Sequence, residues 1–565
     1  MIERALASGP GAVRRASLSR RVGLGAMLAA IVASWIALAG FRGLYNPDEG
    51  RYAEIPREML ATGDWVVPHL DGLLYIEKPP LQYWATALTY ELFGLSNWSA
   101  RLYTGLCGLA TIVVVMALAG RLAGRAAAWR GAIVFGSSLL VLLMSHQLTL
   151  DMSLTLYMTG TLAAFCVAQL DGTAPRARRA WMLIAWASAA CAFLTKGLIA
   201  GALPILTLVF YSALHRDFAP WRRLYPLSGI ALFLAIVLPW LVLIQHRLPA
   251  FFDFFFVREH LERYLTLVEQ RYQPWWFFGE VLAAGSLPWV VPVVRALLTG
   301  WRASEPRARF DARRLLWVWC VVVLVFFSAS DSKLIPYILP MFPALAVLVG
   351  SAEERRLVMD LRATAIGLIV LGAGLAIAAA RLAHWLHDPD KATYFLGIRG
   401  PLALIALAAA AGGIAAFALG RGRTPARSVP LVAALGVAGY LSFVGAQWAA
   451  RVLAPLYSGE PLVTQLPPAL RHTPVLYAVR LYDQSLPFYL QRTMTLVDYR
   501  GELDFGLQHA PSRGIETVAA FEPRWRAGGQ ALAVMSPGTY QMLAADGMPM
   551  VVRARTPKEL IVSRH

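Results

Sequence analysis

The sequence predicts a polytopic α-helical membrane protein with a small α/β domain at its C-terminal end, and three observations carry that prediction. Hydrophobic residues make up 58% of the 565 positions and charged residues only 15%, whereas roughly a quarter of the residues in soluble domains are charged. The apolar residues gather into runs of about 20, the length that crosses a hydrocarbon core. After about residue 450 this character gives way to short strand-like segments separated by turns.

Candidate spans fall near 22–41, 99–120, 129–146, 151–170, 180–196, 197–214, 225–246, 275–298, 313–330, 333–350, 363–385, 397–420 and 428–450, about thirteen in all. The first ends in "ALAG", small residues that suit signal cleavage, but its length and the spans behind it favour an uncleaved anchor. Alternate gaps carry arginine clusters: "RRASLSRR", "RLAGRAAAWR", "PRARR", "HRDFAPWRR", "WRASEPRARFDARR", "EERRLVMDLR" and "GRGRTPAR". Under the positive-inside rule these are cytoplasmic, as is the N-terminus. The net charge of +18 is therefore a record of topology, and no nucleic-acid partner is expected. Cys107, Cys166, Cys191 and Cys320 all lie in apolar runs, so neither a disulfide framework nor a thiolate metal site is indicated.

This orientation places residues 42–98, the loop near 247–274, the turns near Asp151, Lys196 and Asp331, and everything after about 451 outside the cytoplasm. Cytosolic donors such as ATP and nucleotide sugars cannot reach these segments. All five lysines, Lys78, Lys196, Lys333, Lys391 and Lys558, fall on the outer side; Lys78, Lys196 and Lys333 sit at the outer ends of spans, where either snorkelling to headgroups or an anionic ligand places them, and the company of Asp48, Asp151 and Asp331 favours the ligand. In "YNPDEGRYAEIPREML" helical spacing sets Asp48, Arg51, Tyr52 and Ile55 on one face, with Asp48 as N-cap and Glu49 off that face and solvated. In "GLLYIEKPPLQYW" Tyr75, Glu77 and Lys78 precede a proline pair and an amphipathic run suited to the membrane surface. Glu77 and Lys78 are either an ion pair or half of a phosphate or metal site. "FFDFFFVREHLERYL" joins an aromatic face to Arg258, His260, Arg263 and Tyr264, which suits a phosphate-headed lipid.

The expected division is a membrane catalytic domain over 1–450 and a soluble α/β domain over 451–565. In the latter "TPVLYAV", "LPFYL", "MTLVDY", "ALAVMS" and "LIVSRH" read as strands and "PGTYQMLAADG" as a helix. The chain contains no Walker loop, dinucleotide fingerprint, nucleophile elbow or HExxH motif.

"NPDEGRYAEIPREMLATGDWVVPHLDGLLYIEKPPLQYW" resembles the first outer loop of the aminoarabinose lipid A transferases, which belong with the protein O-mannosyltransferases among the GT-C glycosyltransferases. The resemblance is specific over roughly residues 45–105, and the plan of spans plus C-terminal domain fits the whole chain. It implies transfer of aminoarabinose from undecaprenyl phosphate to a lipid A phosphate at the periplasmic face of a Gram-negative inner membrane, with resistance to polymyxin and other cationic peptides as the consequence. It further implies that Asp48 and Asp151 are catalytic, and that Arg51, Tyr52, Tyr75, Lys78, Lys196, Arg263 and Tyr337 bind the carrier phosphate and the sugar. No cofactor is required by the sequence; a divalent metal such as zinc, with Glu77 and His260 as candidate ligands, is compatible with the family. Two other readings remain at this point: another polyprenyl-phosphate-sugar transferase, such as a protein O-mannosyltransferase, and a lipid or sugar transporter. The absence of a recognisable internal repeat and the crowding of charge at one face weigh against transport.

Overall fold

The computed structural model describes residues 25–256, 272–302, 310–385, 394–421 and 428–564. Within them helix lies in every candidate span, and seven helices are individually long and apolar enough to cross a membrane: Asn97–Gly136, Asp151–Gln169, Pro226–Arg247, Ala312–Ala329, Glu354–His384, Tyr394–Gly420 and Ser428–Leu456. Large apolar side chains such as Leu227, Val370 and Leu407 stand exposed on their outer faces. Such exposure is unfavourable in water but matches a surround of lipid tails.

Three expected spans are interrupted, each for a local reason. Helix Asn97–Gly136 opens with a Ser96 capping box, breaks at Ala123 and Gly124, where Gly124 takes a φ of 82°, and ends before the pair Ser137 and Ser138. The run 129–146 is therefore completed by a separate short helix, Leu139–Ser145. The run 275–298 divides into Phe277–Gly285 and Val290–Thr299 around Pro288, and 333–350 begins as the 3₁₀ turn Ile335–Met341 before Phe342–Gly350. Proline lacks the N–H that a helix interior needs, and Pro336, Pro340 and Pro343 crowd this last segment.

The first long loop, residues 42–98, is ordered around two helices. Asp48–Thr62 carries acidic residues in its first turn and ends at Gly63, whose φ of 71° permits the N–H to reach the Met59 carbonyl. A two-stranded hairpin, β1 (His69–Leu70) and β2 (Leu73–Leu74), leads by way of Pro79 and Pro80 into Leu81–Phe93. That helix buries Gln82, Tyr83, Thr86 and Tyr90 while Leu88, Leu92 and Phe93 remain exposed, the amphipathic division expected of it.

The C-terminal residues form a six-stranded sheet in the order β5-β4-β3-β6-β8-β7. The strands are β3 (Val475–Val479), β4 (Thr495–Val497), β5 (Gly514–Ile515), β6 (Ala531–Met535), β7 (Val551–Arg555) and β8 (Leu560–Ser563). β3 runs parallel to β4 and β6, and β8 antiparallel to β6 and β7. One expected strand is corrected: "LPFYL" is the helix Leu486–Leu490, with Pro487 in its first turn, where a missing N–H costs nothing.

The two faces of this sheet bury different partners. Phe521, Trp525 and Leu543, from helices Val518–Arg526 and Pro537–Ala545, cover one face. On the other, Leu476, Leu496, Leu532 and Ile561 share a single apolar core with Tyr52, Ile55, Leu73, Tyr75 and Tyr83 of the first loop. The C-terminal domain is thus packed onto the loop that carries the candidate site.

Candidate active site

Pro47 stands at the helix start without a side-chain capping bond, so Asp48 is the first helical residue and not the N-cap. Its carboxylate is 46% exposed and lies 3.7 Å from Arg51 Nη1. A carboxylate at a helix N-terminus is favoured by the peptide dipoles. Arg51, by contrast, is almost wholly enclosed. Its guanidinium carbon lies 5.8 Å from the Tyr52 ring centroid and 5.7 Å from that of Tyr75, and its far side pairs with Glu502 of the C-terminal domain. Gln484 Nε2 donates to Glu502 at 2.8 Å and holds it there.

Among the described residues, Arg51 Nε and the hydroxyls of Tyr75 and Tyr83 are buried without a hydrogen-bond partner. Buried polar atoms nearly always find partners, so an unpaired cation donor beside two unpaired phenols points to a ligand with oxygen acceptors. Burial pulls the Arg51 pKa down, but Tyr75, Glu502, Tyr52 and Glu77 outweigh it and hold the group well above its ordinary value. Burial drives the phenols of Tyr52, Tyr75 and Tyr83 upward, so they remain protonated donors. Glu77 is part of the same field, and Lys78 Nζ donates to its carbonyl at 3.0 Å with the Glu77 carboxylate 3.9 Å away.

A second group stands at neighbouring ends of three apolar segments. Asp151 begins one helix and Lys196 ends another, which places their side chains at one level; they meet at 2.5 Å. The Lys196 ammonium lies 5.0 Å from the centroid of the Tyr337 ring. Ser153 Oγ donates to Gln82 Oε1 at 2.7 Å, which ties the helix of Asp151 to the element that follows Lys78.

Comparison with known proteins bears on what these groups serve. A family model described as the aminoarabinose transferase C-terminal domain matches residues 462–564, and one described as dolichyl-phosphate-mannose-protein mannosyltransferase matches residues 23–255. An undecaprenyl phosphate-alpha-4-amino-4-deoxy-L-arabinose arabinosyl transferase of Aeromonas salmonicida is 34% identical over 314 residues, 55% of this chain and 56% of that protein. One of Pseudomonas aeruginosa is 31% identical over 548 residues, 90% of this chain and 92% of that protein. The crystal structure of apo ArnT from Cupriavidus metallidurans superposes with a TM-score of 0.87 at 35% identity, covering 97% of this chain and 98% of that one. The chain belongs to the aminoarabinose transferase family. Like the rest of that family it is a multi-pass membrane glycosyltransferase of the GT-C superfamily.

In this aminoarabinose transferase family member, Asp48, Arg51, Tyr52, Tyr75, Glu77 and Lys78 stand in the first group, and Asp151, Lys196 and Tyr337 in the second. Arg258, His260, Arg263 and Tyr264 lie outside the described residues, as does Lys391. Among the described residues no group of three or more His, Cys, Asp or Glu side chains is arranged to hold a metal ion. Glu49 corrects the sequence expectation. It is fully buried, paired with Arg42 and with Arg101 Nε at 2.6 Å, and accepts the Leu148 and Tyr45 N–H groups at 2.9 Å. Burial would raise its pKa, but Arg101 and Arg42 overcome that and bring it down to about 2. Three members of the site escaped sequence reasoning: Tyr83, Gln484 and Glu502. Tyr83 lies within "LQYW", five residues past Lys78, whereas nothing local marks "YRGEL" or "YDQS" as site segments.

Proposed function

We propose that this chain transfers aminoarabinose from undecaprenyl phosphate to a phosphate of lipid A at the periplasmic face of the inner membrane. The observation that carries the reading is the Arg51 cradle: a buried charged guanidinium with unpaired Tyr75 and Tyr83 hydroxyls, one helical turn from the exposed Asp48 carboxylate. Likeness to the C. metallidurans ArnT structure bound to undecaprenyl phosphate, 34% identical with a TM-score of 0.87 over 96% of this chain and 98% of that one, supports a polyprenyl phosphate carrier. The match of residues 462–564 to the aminoarabinose transferase model favours this acceptor over a protein hydroxyl. In this reading residues 1–450 form the catalytic membrane domain and residues 451–565 the soluble domain seated over it.

The step is a displacement at the anomeric carbon of the sugar. An oxygen of the acceptor phosphate forms a bond to that carbon, and the bond from the carbon to the carrier phosphate breaks, with the electron pair leaving on the phosphate. Lys78, Lys196, Arg51 and Arg263 neutralise the charge that develops on the leaving phosphate, and in a partly dry site each counts for more than it would in water. The acceptor phosphate is already ionised at neutral pH, so no general base is required. Asp48 orients the sugar through its amine, and Asp151 holds Lys196 in place.

Mass spectrometry of lipid A from a transferase-null Gram-negative host tests this. The wild type should add one aminoarabinose, and Asp48→Ala and Lys78→Ala should abolish the addition at equal protein levels. No added mass from a well-inserted wild type, in a host that makes the donor, overturns the reading. On the role of Asp48, a pH–rate profile of Asp48→Asn should keep whatever acidic limb the wild type shows; its loss would make Asp48 a base.

A further inference from the structure

The helix that carries Asp48 and Arg51 begins without a side-chain cap, so its first turn must be held from elsewhere. Glu49 ties that turn to Arg42 and Arg101, and a second set of holding groups comes from the C-terminal domain. Asn46 donates its main-chain N–H to the Tyr457 carbonyl at 2.7 Å and its Nδ2 to Asp483 Oδ2 at 2.7 Å, while its Oδ1 accepts the Ser485 N–H at 2.9 Å. Asp483 is itself buried. Its Oδ1 accepts the Ser485 N–H and hydroxyl, both at 2.8 Å, and the Leu486 N–H at 2.9 Å. Between these residues, Gln484 holds Glu502, the partner of Arg51. The backbone of Gln484 and Ser485 lies so close to Gly50 that a Cβ there would come within 2.5 Å of it.

We infer that Asn46 and Asp483 are positioning residues for the transfer reaction: they form a clasp through which the C-terminal domain sets where Asp48 and Arg51 stand. The inference rests on the reading of the site given above. A further carboxyl borders the clasp. Glu559, in the turn between β7 and β8, sets its carboxyl against Asp483; burial and that neighbouring carboxylate push it up to about 9, and Lys558 draws it the other way. These two are the charged groups that face Glu559 among the described residues. Lys558 lies 4.6 Å from the centroid of the Tyr457 ring, and it is the Tyr457 carbonyl that holds Asn46. At neutral pH Glu559 is therefore protonated and donates to Asp483; above its pKa two carboxylates face each other and repel.

The test uses the purified full-length protein in detergent. The pH profile of kcat/KM for sugar transfer is measured for the wild type, Glu559→Gln and Asp483→Asn, together with hydrogen exchange over residues 46–55 at one fixed pH. Glu559→Gln should keep the neutral-pH activity, because an amide replaces a protonated carboxyl, and should shift or remove an alkaline limb centred near the carboxyl's value of about 9. Asp483→Asn should lower kcat by about a hundredfold, the scale of a reacting group misplaced by an ångström, with a smaller change in KM. It should also raise exchange at the first turn of the Asp48 helix. An alkaline limb in Glu559→Gln that superimposes on that of the wild type, or wild-type kcat and exchange in Asp483→Asn, overturns the proposal. If the wild type transfers no sugar, the catalytic reading fails, and the exchange difference still decides the clasp by itself.

Discussion

Glu49 and Asp48 are neighbours in the chain with opposite surroundings, and their different fates follow from that. The Asp48 carboxylate faces outward at a helix N-terminus, whereas Glu49 is enclosed by two guanidiniums and two N–H groups. Removing the charge of Glu49 leaves Arg42 and Arg101 buried without it, a loss of about 3 kcal/mol or more by the usual scale for breaking a buried pair. Its pKa falls from 4.5 to about 2 on folding, so the ionised form is the one the native state favours. The stability it contributes is present above its unfolded pKa and is lost as pH falls through the folded one. Thermal unfolding in detergent should therefore show Glu49→Gln well below the wild type at neutral pH, the gap closing as pH is lowered toward 2. A gap independent of pH would mean that packing and not charge is what the residue supplies. The one-face grouping of Asp48, Arg51 and Tyr52 was legible because helical spacing is a property of adjacent residues. The surroundings of Glu49 were not, because its partner Arg101 lies 52 residues away and a helical wheel says nothing about what packs against each face.

At the scale of the element, the helix Asp48–Thr62 is fixed less by its propensity than by what presses on it. Pro56 lies within it, no side chain caps its start, and its first turn meets the backbone of Gln484 and Ser485 at Gly50. Backbone atoms cannot turn aside as a side chain can, so Gly50→Ala should push the helix away from the C-terminal domain and sharply reduce transfer. Gly201→Ala is the control: this helical glycine has open space where a Cβ would go, and the change should leave activity intact. Equal activity of the two variants would show that the close approach at Gly50 has no functional weight. The same scale explains where sequence reading of the elements went astray. "LPFYL" has strand-like residues, yet Leu486 and Phe488 are buried in the core shared with the first loop, and a short helix presents them there. Strands β5 and β7 went unread because β5 has two residues and β7 carries Arg553 and Arg555 among its valines.

Over the whole molecule, the C-terminal sheet has one face buried beneath its own helices and the other on the first long loop. Polar bonds reinforce the second contact: Asp71 accepts the Met494 N–H at 2.6 Å, and Arg513 donates to the Asp71 carbonyl at 2.9 Å. A chain ended after Leu456 should still insert, since its apolar helices need only lipid, but the first loop would lose the cover of its apolar face and the partners of Arg51 and Asn46. Protease accessibility of residues 42–98, together with the sugar-transfer assay, checks this; a truncated chain that keeps a protected loop and full activity would refute it. What the sequence determined by itself were the properties set by neighbouring residues and by the solvent: apolar runs fit for a bilayer, a C-terminal α/β domain, and a first loop rich in charge. Only the tertiary structure decided that Glu502 and Gln484 join the site, that Glu49 is buried, and that residues 483–486 hold the start of the Asp48 helix. The physical reason is that these contacts join residues far apart in the chain, 52 positions for Glu49 and Arg101 and 437 for Asn46 and Asp483, and which loop a domain settles on depends on the shape and apolar surface of both partners after each has folded.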